Sequence, residues 1–456
     1  MVIYRARVFD TPDNPFAGGR LRSASDIALV VDDGLITSRT DFDTARTAHP
    51  EAQVVDLRGG VLIPGLVDTH VHLPQVRAIG HLGKPLLDWL DQCALPEEAK
   101  LGDPAYAEAV AGEFLTGLIS AGTTSAMVFG SHFASAMDIF FSAAAEAGLR
   151  VTSGLVTSDR NLPQALLTDV DRSIAEGQAL IDAWHGKGRL RYAVTPRFSF
   201  SAGPELLAAG GQLVAENPGI WVTSHLNENV DEVAGVADLH PESCDYLDTY
   251  DRAGLLSRRT VLAHNVHPQD RELERMAEVG AVAAHCPTSN SALASGFFPL
   301  RRHLDAGVRV ALGSDVGAGT GFNLLKEGVQ SYFMQQLDPS GGVALTSAHL
   351  LYLATAAGAE ALELDEVGHL SVGKRFDAVL VRPAAGQPLD VGICNAADDA
   401  DAMAKIFAMG TPADIAEVWI DSIPRHPRPS ICYLTAPQQP CARLLGRRQV
   451  VLGGRS

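Results

Sequence analysis

Eight short apolar runs, separated by segments of helical period, constrain this chain more than any other feature. They are "LVDTHVH" ending at His72, "TTSAMVF" from Thr123, "LRVTSGLV" from Leu149, "LRYAVTP" from Leu190, "IWVTSHL" from Ile220, "TVLAHNV" from Thr260, "AVAAHCP" from Ala281 and "VRVALGSD" from Val308. Stretches such as "YAEAVAGEFLTGLISAG" and "DRELERMAEVG" lie between them, the second ending in a glycine suited to a C-cap and otherwise reading as a charged helix face. Alternating strand and helix patterns of this kind build a parallel sheet. Eight such units close a (β/α)8 barrel.

Both flanks read differently. The first sixty residues alternate in "VIYRARVF", "DIALVVDDGLI" and "AQVVDLRGGVLI", as strands of a small β unit do. After a helical pair around "LTSAHLLYLATAAGAEALEL", strand patterns return in "FDAVLVRP" and "IAEVWIDSI". The expectation is therefore an α/β chain: a TIM-like (β/α)8 barrel over 65–365, inserted into a small β-sandwich formed by 1–64 and 366–456 together. The tail from Arg425, rich in Pro, Arg and Gly, reads as a loosely held extension.

Composition narrows the function classes. A net charge of -18 argues against a phosphate-backbone partner, which needs clustered Lys and Arg. The N-terminus lacks the apolar core of a signal peptide, and no apolar run is long enough to span a bilayer. The six cysteines are scattered without C-x-x-C spacing, so neither a thiolate metal site nor a disulfide framework is indicated. A reducing cytoplasm is the expected compartment.

Barrel active sites sit where the strands end. Strand one ends with His70 and His72, strand four at Arg197, strand five at His225 with Glu228 close behind, strand six at His264, strand seven at His285 and strand eight at Asp315. Residues i and i+2 of a strand point the same way, so His70 and His72 both face the barrel axis. With His225 and Asp315 they form a set of three imidazoles and one carboxylate suited to zinc or iron. His264 and Glu228 remain beside it for proton chemistry. A lone H-x-H is a weak signal, but matching residue types at the ends of strands one, five, six and eight are hard to reach by accident. His285 and Cys286 read as shaping the pocket, because four ligands already complete the set. His81, His132, His185, His240, His267, His303, His349 and His426 lack a partner pattern and read as structural or solvated.

The segments "PGLVDTHVH", "SHLNE", "LAHNV" and "LGSDVGAG" resemble the amidohydrolase superfamily in its mononuclear deaminase branch. Longer matches resemble the guanine deaminase family within it: "DTHVHLPQ", "KPLLDWLDQCALPEEAK", "VTPRFSFS", "SHLNENVDEV" and "HCPTSNSALASGFFPLRRHLDAGVRVALGSDVGAG". The likeness covers roughly residues 60 to 375. It implies a homodimeric enzyme with one zinc ion per subunit, iron being able to share such ligands, converting guanine to xanthine and ammonia.

Carried over residue by residue, the resemblance makes His70, His72, His225 and Asp315 the metal ligands. Gln75 and Arg197 would hydrogen-bond the carbonyl edge of the purine, with Phe198 beside it. Glu228 would reach the ring nitrogen next to the attacked carbon, Asp315 would act as base, and His264 would orient the water. His225, Glu228 and Asp315 would touch the base as well, and Trp89 and Leu95 fall in the segment that covers it. Where the family shows an aromatic-rich "Y-x-F-P", this chain reads "CALP" from Cys93, which leaves one pocket wall looser. A deaminase of 8-oxoguanine, a pterin or an aminotriazine would share most of these residues. A hydantoinase-type amide hydrolase would need a lysine at strand four, where "YAVTPRF" has none.

Overall fold

The computed structural model describes residues 1–426, so the expectation for the tail beyond them lies outside the described residues. The chain opens with β1 (Val2–Asp10), β2 (Arg22–Asp32), β3 (Leu35–Thr40) and β4 (Gln53–Pro64). The barrel follows as β5 (Leu66–His72), β6 (Thr123–Phe129), β7 (Arg150–Gly154), the short β8 (Val156–Thr157), β9 (Leu190–Pro196), β10 (Trp221–Leu226), β11 (Thr260–His264), β12 (Val282–His285) and β13 (Arg309–Leu312). Then come β14 (Ala378–Val381), β15 (Ile415–Ile420) and β16 (Ile423–His426).

Each of the eight apolar runs is a barrel strand within three residues, and the third also supplies β8. The strands pair in parallel in the order β5-β6-β7-β9-β10-β11-β12-β13, with β8 against β9. Hydrogen bonds from just beyond β13 close the ring. The Asp315 N–H donates to His70 O at 2.9 Å, and the His72 N–H donates to Val316 O at 2.9 Å. Closure draws the residue after β13 against the two histidines of β5, which is how strands one and eight come to share a site.

The two chain ends meet in a single seven-stranded sheet of order β16-β15-β14-β4-β1-β2-β3, in which β4 runs parallel to β1 and antiparallel to β14. Its core gathers around Tyr4, stacked on Phe376 at 4.2 Å and edge-on to Trp419. Gly65 links this sheet to the barrel. A Cβ there would lie 2.2 Å from the Thr124 hydroxyl, so the close approach of β4–β5 to β6 requires glycine. Arg150 at the start of β7 joins the two halves through Asp377 (3.0 Å), Asp421 (2.6 Å) and Glu366 (3.2 Å).

Beside the barrel end, Phe298 is stacked between His285 and His303, 4.3 Å from each ring. His303 is locked neutral: its Nδ1–H donates to Pro299 O and its Nε2 accepts from Asn265 Nδ2 at 2.9 Å. Burial pushes its pKa down to about 4 from the ordinary 6.5. The folded-state value is the lower one, so this stability is complete above pH 6.5 and is lost as pH falls through about 4. A gap of that size is worth about 3 kcal/mol. Denaturation midpoints should therefore drop between neutral pH and pH 4, and a His303→Gln variant should show a shallower drop.

Candidate active site

The strand ends converge as the sequence reading expects. His70, His72 and His225 are buried, with His72 Nε2 lying 3.1 Å from His70 Nε2 and 3.2 Å from His225 Nε2. Asp315 Oδ1 is 3.4 Å from His70 Nε2 and 3.2 Å from His72 Nε2. Burial disfavours charge on all three rings, lowering His70, bringing His72 to about 4 and holding His225 well below its ordinary range. The His225 Nδ1–H donates to Arg197 O at 2.6 Å, which turns the lone pair of Nε2 inward. Burial would raise the Asp315 carboxyl, but the neighbouring His70 and His72 rings hold it well below the usual carboxylate range.

Four lone-pair donors this close repel one another unless a cation lies between them. The neighbouring separations, 3.1 to 3.4 Å, are close to the edge, about 3.4 Å, of a tetrahedron built on metal–ligand bonds of about 2.1 Å. The donor set therefore fits a divalent metal. The donor atoms of His70, His264 and Asp315 also fall within 4.8 Å of one another, so His264 borders the same point. From strand two comes no ligand but a backing: the Phe129 ring lies 4.6 Å from both His72 and His225.

His264 has φ +72° and Asp315 φ +48°, left-handed conformations that turn each strand end toward the site. The His264 Nδ1–H donates to Asn290 Oδ1 at 3.0 Å, and its Nε2 faces Glu228 Oε2 at 3.4 Å and Asp315 Oδ2 at 3.8 Å. Glu228 is only 3% exposed. Burial, and then the charge of Asp315, raise its pKa well above the usual carboxylate range, which favours its acid form.

These groups line a cavity with about 230 Å³ of empty space, below the usual size of a drug-binding pocket. His72, Gln75, Arg197, His225, Glu228, His264 and Asp315 give its polar surface, and Leu86, Trp89, Leu90, Leu293 and Ala318 its apolar walls. A larger recess of about 1290 Å³ lies by Val308 and Arg309, at the N-terminal end of β13, and holds none of the strand-end residues. Chemistry, rather than size, marks the site.

Phe198 and Leu95 pack with Trp89 in a small apolar cluster without lining the cavity. Cys93 belongs to that cluster too. His285 is buried on Phe298, and its ring nitrogens have no partner among the described residues. One expectation is corrected: Glu272 of "DRELER" is not on the solvated face. It is fully buried and accepts from Asn227 Nδ2 (2.8 Å), Leu247 N (3.1 Å) and Gln269 N (2.7 Å), so it braces the turn that carries Glu228. Asn290, Leu293, Ala318 and Glu98 were not singled out in the sequence. For Asn290 the available signal was its place in "HCPTSN" at a strand end.

Residues 61–423 match the amidohydrolase family. A probable guanine deaminase of Deinococcus radiodurans is 56% identical over 92% of this chain and 97% of its own. The E. coli guanine deaminase structure superposes with a TM-score of 0.89 at 35% identity, covering 93% of this chain and 99% of that one. The C. acetobutylicum guanine deaminase, with guanine bound in its active site, gives 0.85 at 28% identity, over 92% and 99% of the two chains. The chain belongs to the amidohydrolase family of hydrolytic enzymes. Within that family it groups with the guanine deaminases.

Proposed function

We propose that this protein hydrolyses guanine to xanthine and ammonia, with one zinc ion held by His70, His72, His225 and Asp315. One observation carries the reading: a single small cavity is lined by donors for a carbonyl, a carboxyl biased toward its acid form and three of the four metal donors, His72, His225 and Asp315. When bound, zinc supplies the Lewis acidity that makes water a nucleophile near neutral pH. The protein's own groups do the rest. Ionised Asp315 takes the proton of the attacking water, and His264, fixed by Asn290, orients that water through Nε2. Glu228 gives its proton to N3 as the water oxygen adds to C2, and proton relay to the exocyclic amine lets ammonia depart.

Selectivity follows from the edge that Arg197 and Gln75 present. Both offer N–H donors, which suit the guanine carbonyl and oppose the amino group of adenine. Trp89 and the neighbouring leucines cover the ring faces. Among the described residues no helix is long and apolar enough to cross a membrane. The reading extends to a cytoplasmic homodimer, supported by the four free cysteines among the described residues and by exposed Phe333 and Leu337, one turn apart on the helix Leu324–Leu337.

The test is ammonia release from guanine, 8-oxoguanine, adenine, cytosine and a pterin, with and without a chelator. Guanine should be the preferred substrate, and chelation should abolish the release. Release from adenine or cytosine but not guanine would overturn the assignment.

A further inference from the structure

Glu98 belongs to the short helix Leu95–Ala99 and is 2% exposed. Its Oε1 accepts from Gln75 Nε2 at 2.8 Å and from Arg197 Nη1 at 2.8 Å. Its Oε2 accepts from Arg197 Nη1 at 2.7 Å and lies 3.3 Å from His132 Nε2. Gln75 follows β5 and Arg197 follows β9, so two cavity-lining side chains from separate strands meet on one carboxylate. The pairing leaves capacity unspent. Only one nitrogen of Arg197 is engaged with Glu98. The Gln75 amide nitrogen also lies 3.3 Å from His72 Nδ1, which carries a proton and does not accept when Nε2 is the metal donor, while the Gln75 oxygen accepts from Gly317 N at 3.2 Å. A buried guanidinium facing a neutral base would otherwise be an uncompensated charge.

We propose that Glu98 is a positioning residue: it holds Arg197 and Gln75 so that their remaining N–H groups meet the carbonyl oxygen of the bound purine, and it thereby sets selectivity for that oxygen. The proposal rests on the guanine reading above. Glu98 touches neither the substrate nor the reacting atoms in this arrangement and acts through its two partners.

The test compares wild-type and Glu98→Gln enzymes, both zinc-loaded, by kcat/KM for guanine and by Ki for 2-aminopurine, a competitor with the same amine but no carbonyl. The loss on guanine should be about 30-fold, as expected when hydrogen bonds to a charged group are disturbed, with the Ki nearly unchanged. Equal weakening toward both compounds would mark a merely structural role and overturn the proposal, as would an unchanged kcat/KM. In a cycle with Arg197→Gln, the double variant should lose little more than Arg197→Gln alone, and additive losses would count against it. If Glu98→Gln does not fold, Glu98→Asp is read by the same ratio. Absence of guanine turnover in the wild type would instead remove the underlying functional reading.

Discussion

A Glu228→Gln enzyme is expected to keep its metal and lose about 10³-fold in kcat, with KM little changed, because general acid–base groups contribute 10²–10⁴-fold. The replacement is nearly isosteric, so the contact to Ser295 Oγ and the packing in a fully buried position survive. What disappears is a proton. Burial and the neighbouring Asp315 charge favour the acid form of Glu228, the form needed to protonate a ring nitrogen while the adjacent carbon is attacked. Glu228 is outside the four-donor cluster, so metal content measured on the same preparation should match the wild type. Near-normal kcat would remove Glu228 from the mechanism.

The second large effect is expected from Asp315→Asn. This residue supplies the only anionic donor beside three neutral imidazoles, and it is also the base assigned to the attacking water. An amide of the same shape retains the contour of the cavity but neither the charge nor the basicity. Metal occupancy should fall sharply, and turnover should drop by about 10⁴-fold or more, since the Lewis acid and the base are lost together. Elemental analysis alongside steady-state rates checks both halves. A variant with full metal content and wild-type rate would show that Asp315 is neither ligand nor base.

The site was legible where the fold repeats itself. Four of the barrel strands carry a polar residue at or just past their end, so His70, His72, His225, His264 and Asp315 stand at comparable places in the first, fifth, sixth and eighth units. Glu98 had no such frame. It sits next to Glu97 on a five-residue helix too short to show a period; Glu97 pairs with Lys100 and Tyr106, while Glu98 is buried against Arg197. Glu272 was hidden in the same way, one carboxylate in a run of charges, distinguished only by the distant Asn227 and Leu247 that bury it.

The C-terminal half hides more. The sequence reading proposed no helices between "FDAVLVRP" and "IAEVWIDSI", yet Pro388–Cys394 and Asp399–Met409 are helical. The second packs Phe407 onto Gly328, where an added Cβ would lie 2.6 Å from the ring. That contact joins residues far apart in the chain, and neither partner carries a local sign of it. The pairing of β4 with β14 is of the same kind, since strand pairing across the whole barrel insertion leaves no periodic trace.

The most direct test of the central claim is product identity and stoichiometry with guanine as sole substrate. Zinc-loaded protein should yield one xanthine and one ammonia per guanine consumed, a chelator should stop the conversion, and added zinc should restore it. Metal-replete, folded protein that leaves guanine unchanged would contradict the account.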